Sequence, residues 1–101
     1  MSEPDPEFDT AHPSGQVLFR SCRGGYLHSV VLSEAVCDAD AQSLAEAVLR
    51  AAEVSHLKAV MEVRGGIIEA GFSPSPKLPT PADLSRAEAD LNGHRLSRPE
   101  N

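Results

Sequence analysis

The sequence predicts a small α+β domain: an antiparallel β-hairpin or meander, then one long amphipathic helix, then a short C-terminal helix. Three observations carry this. Gln16–Cys22 and Tyr26–Leu32 are runs rich in β-branched, aromatic and leucine residues, split by a glycine-containing turn, as in a β-hairpin. From Asp38 to about Val63 apolar residues recur at three- and four-residue steps, the spacing of a helix with one buried face. Thr80-Pro81-Ala82-Asp83 puts a cap, a proline and an acid where a second helix begins.

Taken in order, residues 1–15 read as a disordered acidic arm, since three prolines among charged and small residues bury little surface. A short strand near Phe8–Thr10 requires a partner to pair with. Residues 16–72 form the α+β core. In the first hairpin strand Val17, Phe19 and Ser21 share one face, and Leu18, Arg20 and Cys22 share the other. Neither face is wholly polar, so both need cover, and a hairpin alone is barely stable in water. The long helix starts on a cap from Asp38 or Asp40. Its stripe runs through Leu44, Val48, Ala51, Val54, Leu57 and Met61, with Ala47 beside it, and Gly65-Gly66 weakens or kinks it before Gly71. Residues 73–80, with four prolines in 74–81, read as a stiff connector. Residues 81–101 hold the second helix, whose thin stripe of Leu84, Ala87 and Leu91 requires docking on the body or a partner.

Composition excludes several functions. At 101 residues there is room for one core, and with four aromatic residues it is built mainly from Ala, Val and Leu. Such a core is marginal, so self-association is expected. The formal charge is −6, of which the first 15 residues contribute four acids and no base, leaving 11 acids against 9 bases elsewhere. An acidic chain repels phosphate backbones, which argues against nucleic-acid binding. No apolar stretch is long enough to span a bilayer, and residues 1–9 lack the basic and apolar regions of a signal peptide. The expected location is therefore the cytoplasm, with Cys22 and Cys37 reduced.

The chemistry-bearing residues each have a simpler explanation. Glu53-x-x-His56 has the spacing of two ligands on one helix face, but the motif occurs once, so no metal site is expected. Cys22 with His28 across the hairpin lacks a third group or an oxyanion loop. Arg23-Gly24-Gly25 and Arg64-Gly65-Gly66 read as a turn and a helix interruption. His94, Arg95 and Arg98 suit the negative end of a helix. Neither an enzyme nor a cofactor is expected.

Val17–Ser21 through Gly24–Ser33, leading into Leu44–Glu53, resembles the second half of YbaB/EbfC-type proteins. Leu78–Asp83 with Ala87–Asp90 resembles the small acidic EspD/EspH-like proteins of mycobacterial type VII secretion. The resemblance implies a YbaB-like fold that tends to dimerise, and an accessory or chaperone-like role toward secreted protein partners, with which the chain itself could leave the cell. The alternative it implies is a nucleoid-associated DNA binder. The expected interaction or dimer surface comprises Phe19, Tyr26, Val30, Leu57, Met61, Leu84 and Leu91.

Overall fold

The computed structural model describes residues 8–22 and 26–97. Over them the chain forms β1 (Thr10–Ala11), β2 (Val17–Ser21), β3 (Leu27–Leu32), a 3-10 turn (Glu34–Asp38), α1 (Ala41–Glu69) and α2 (Pro81–Gly93). The strands make one antiparallel sheet in the order β1-β2-β3. Helix α1 packs against β1 and β2, and α2 packs beside α1. This is the α+β arrangement that the sequence predicts. The Arg23–Gly25 turn lies outside the described residues.

Pairing of Val17 with Leu32 and Phe19 with Val30 turns one face of the hairpin toward α1. Val17 and Phe19 are buried there, while β3 keeps only Ser29 and Val30 half-buried. Against this face α1 presents small residues at four-residue steps: Ser43, Ala47, Ala51, Ser55 and Ala59, all buried. Residues four apart share one helix face, and small ones let a sheet approach closely. Two apolar clusters flank the row: Phe19, Ala51, Val54 and Leu91 make one, and Val17, Val36 and Ala47 the other. Val30 and Val48 pack against both. The predicted stripe is thus in place, with Ala51, Val54 and Leu57 buried and Leu44, Val48 and Met61 half-buried.

Helix α1 begins at the second of the two proposed caps, with Asp40 accepting from the Ser43 amide at 3.2 Å. It continues through Gly65-Gly66 without a break, so the expected interruption is corrected. It ends in a Schellman motif: Phe72 N–H donates to Ile67 O, Gly71 N–H donates to Ile68 O, and Gly71 takes φ +88°. The connector is not simply extended, because Leu78 N–H donates to Ser75 O and closes a turn within it. Thr80 and Asp83 then form the full reciprocal capping box of α2. Helix α2 runs antiparallel to α1: Arg64 reaches Pro79 O near its start, and Glu46 reaches His94 just past its end.

The disordered arm is corrected from Phe8 onward; residues 1–7 lie outside the described residues. Phe8, Thr10 and His12 are buried, at alternate positions on a segment that pairs with β2. Asp9 is no tail charge. Its carboxylate accepts from the Ser21 amide at 2.8 Å and pairs with Arg20 at 3.8 Å, while its carbonyl accepts from Lys58 at 3.0 Å. A β-turn closed by Gly15 N–H to His12 O, with Pro13 at its second position and Gly15 at φ +74°, leads into β2.

Two consequences can be measured by urea unfolding. Ala51→Leu overpacks the row facing the sheet and should cost about 1–3 kcal/mol, while Ala45→Leu on the exposed side should be near neutral. At Gly66 an added methyl meets nothing within 4 Å, so Gly66→Ala should raise stability by about 0.5–1 kcal/mol.

Candidate interaction surface

The seven predicted surface residues are not brought together on the outside. Phe19, Leu57 and Leu91 are buried, and Val30 and Leu84 pack half-buried on the Phe19 cluster. Met61 is half-buried in a hollow with Phe8, Lys58 and Leu84. Of the seven only Tyr26 stands open, at 72 % exposure. The expectation is corrected for a physical reason: α2 docks on α1 and uses these side chains within the chain.

The exposed apolar surface lies elsewhere. Tyr26 and, on the edge strand β3, Leu27, Val31 and Leu32 are exposed, and among the described residues no strand pairs with the outer side of β3. Tyr26 also lines a hollow of about 260 Å³ with His56, Ala59, Val60, Val63 and Leu78. Farther along, Ile68 and Phe72 are exposed at the end of α1. The surface therefore runs from the β3 edge through Tyr26 onto the distal half of α1. Neither β3 nor the hollow contains Lys, Arg, Asp or Glu. Nor does β3 contain a proline, so it lacks the charged and proline devices that blunt natural edges.

The chemistry-bearing pairs of the sequence are not assembled. The Cys22 thiol is buried and donates to Leu27 O at 3.7 Å, while His28 is exposed and bonded to Ser29. Both cysteines are free. Glu53 opens on a cleft between α1 and α2 that Arg50, Asp83 and Arg86 also line, whereas His56 opens on the Tyr26 hollow. Among the described residues no three metal-binding side chains converge. Four of the bases are engaged at separate places: Arg20 and Lys58 with Asp9, Arg64 with Pro79 O, and Arg86 with Asp83.

Two polar joints went unread in the sequence. In the first, the Ser55 hydroxyl donates to Phe8 O at 2.6 Å and meets the Ser21 hydroxyl at 2.9 Å, fastening three segments. In the second, His12 Nε2 lies 2.9 Å from His94 Nδ1, and His94 Nε2 lies 3.3 Å from Glu46 Oε2. The Ser14 amide donates to His12 Nδ1, so that nitrogen carries no proton. His12 Nε2–H therefore donates to His94 Nδ1, and His94 Nε2–H donates to Glu46. The Ser14 hydroxyl lies 2.8 Å from His12 Nδ1, giving a chain of hydroxyl, imidazole, imidazole and carboxylate. The amides of His12, Ser14, Gly15 and Gln16 are all already donating, which leaves none of these four for an oxyanion. Burial first, then His94, hold His12 below the ordinary imidazole value of 6.5. The alternation Phe8, Thr10, His12 was the readable signal for the segment; nothing local ties His12 to a residue 82 positions away.

The architecture is that of a small α+β domain with an exposed sheet edge. The chain belongs to the family described as "Protein of unknown function (DUF2694)", which matches residues 1–97. It is 55 % identical over 98 residues to uncharacterized proteins of Mycobacterium bovis and of two Mycobacterium tuberculosis strains, covering 97 % of this chain and 97 % of each relative. No solved structure matches it. Among the described residues no helix is long and apolar enough to cross a membrane.

The first joint gives a direct test. Ser55→Ala leaves the buried Phe8 carbonyl with only the longer 3.4 Å bond from the Thr10 hydroxyl and takes the partner of the Ser21 hydroxyl, and should lower the urea-derived stability by about 1–3 kcal/mol. The amides of β1 should lose exchange protection in the same variant.

Proposed function

We propose that the protein is a non-enzymatic interaction protein that forms a homodimer and serves as an accessory or chaperone-like factor for partners of type VII secretion, working in the cytoplasm. The observation that carries the interaction reading is the uncharged apolar surface from the β3 edge through Tyr26 to Val63. Contiguous exposed apolar surface of this kind marks protein contact sites. A β3 edge with open backbone groups favours addition of a second β3, extending the sheet across a twofold axis. The secretion context is supported by the Leu78–Asp83 and Ala87–Asp90 motifs and by the mycobacterial origin of the relatives. Two free thiols suit a reducing compartment.

Sedimentation velocity at high micromolar concentration should give a dimer mass for the full chain. Val31→Lys puts a charge on the edge strand and should give a monomer with unchanged circular dichroism. A monomeric wild type would sink the dimer, and a dimer untouched by Val31→Lys would move the contact off this edge. Dispersed bases among an excess of acids should also leave micromolar protein unable to shift duplex DNA at about 150 mM salt. A shift that fades steeply as salt rises would favour the nucleoid alternative.

A further inference from the structure

We propose that His94–Ser97 is an acid-opened strap, closed over the start of α1 by the contact of its first residue with His12. The strap follows α2 and returns along α1 to its beginning. The Asp40 amide donates to Ser97 O at 2.6 Å, and the Ser97 amide donates to the Ser43 hydroxyl at 3.0 Å. Between these ends Leu96 packs on the Val17, Val36 and Ala47 cluster. The strap thus covers apolar surface and one orphan amide at the helix start.

Its closure depends on where protons sit. In the neutral chain each N–H of the pair has an acceptor, from the Ser14 amide through both imidazoles to Glu46. A proton on His94 Nδ1 would face the His12 Nε2–H across 2.9 Å. The pair admits that proton only if His12 moves its own to Nδ1, where it can donate to the Ser14 hydroxyl but displaces the Ser14 amide. A second proton leaves two N–H groups and two like charges face to face. Glu46 on α1 is the carboxylate bonded to the pair; the β1–β2 turn contributes the Ser14 hydroxyl and amide, and the strap's own Arg95 is exposed.

The linkage has a definite sign. Because His12 is held below 6.5, the opened chain binds protons more readily than the closed one. Closure is therefore complete above about pH 6.5 and weakens as the pH falls below it. Once open, the strap exposes the seat of Leu96, so acid uncovers a second apolar surface, separate from the β3 edge.

Amide exchange on the nitrogen-15-labelled full chain reads this directly, with the Asp40 amide as reporter, the Leu57 amide in mid-α1 as control and each rate corrected for its intrinsic pH dependence. From pH 7.5 to 5.0 the opening constant at Asp40 should rise by up to about tenfold per pH unit for each proton taken up, with Leu57 unchanged. His94→Asn keeps an acceptor opposite His12 but cannot take a proton there, and should flatten the profile. Glu46→Gln removes the carboxylate bonded to His94 in the closed state, so the closed pair takes up protons less readily; the rise should begin at the same pH and continue to lower pH. Protection of Asp40 that does not change with pH in the wild type, or a rise in both variants identical to that of the wild type, would overturn the proposal.

Discussion

The row of small side chains along α1 is the constraint from which the rest of the domain follows. Ser43, Ala47, Ala51, Ser55 and Ala59 leave no bulk between helix and sheet, so β2 lies close enough for Ser21 and Ser55 to share a hydrogen bond. That proximity places the Phe8 carbonyl over Ser55 and sets β1 beside β2. Larger side chains beside the row, notably Val48, Val54 and Leu57, then fill the flanks where α2 and the sheet meet. With few aromatics available, close approach takes the place of side-chain volume as the source of packing density.

Much of this was legible because the determinants are local. Hydrophobic period placed α1, and the Thr80–Asp83 capping box placed the start of α2, since a cap is written within four residues. What escaped was decided by distant partners. Prolines and acids made residues 8–15 look unstructured, yet Phe8, Thr10 and His12 bury against a strand and helix that follow them. The residues proposed as an outer surface are apolar, but docking of α2 on α1 places Leu57 of α1 and Leu84 and Leu91 of α2 inside the chain rather than against a partner. Serines 43 and 55 lie outside the apolar stripe marked by the sequence, although both belong to the buried row that meets the sheet.

Charge follows the same logic. Asp9 counts as one more acid in the sequence, but in the fold it accepts the Ser21 amide and gathers Arg20 and Lys58 around it. One carboxylate thus joins segments, while Arg20 and Lys58 at Asp9, Arg64 at Pro79 O and Arg86 at Asp83 are held at separate places rather than gathered in a stripe. The uncharged surface is left to β3 and the hollow beside Tyr26.

The contact between His12 and His94 spans 82 positions of chain, and Ser97 closes over Asp40 beyond it. During synthesis the sheet and α1 emerge first, but Leu91, Leu96 and Ser97, which cover their clusters and cap the helix start, emerge last. Non-local contacts of this span carry a large loop-closure cost until the final segment arrives. Folding is thus completed only once the polypeptide has been made through Ser97, and the nascent chain on the ribosome exposes the apolar seats that this segment later occupies.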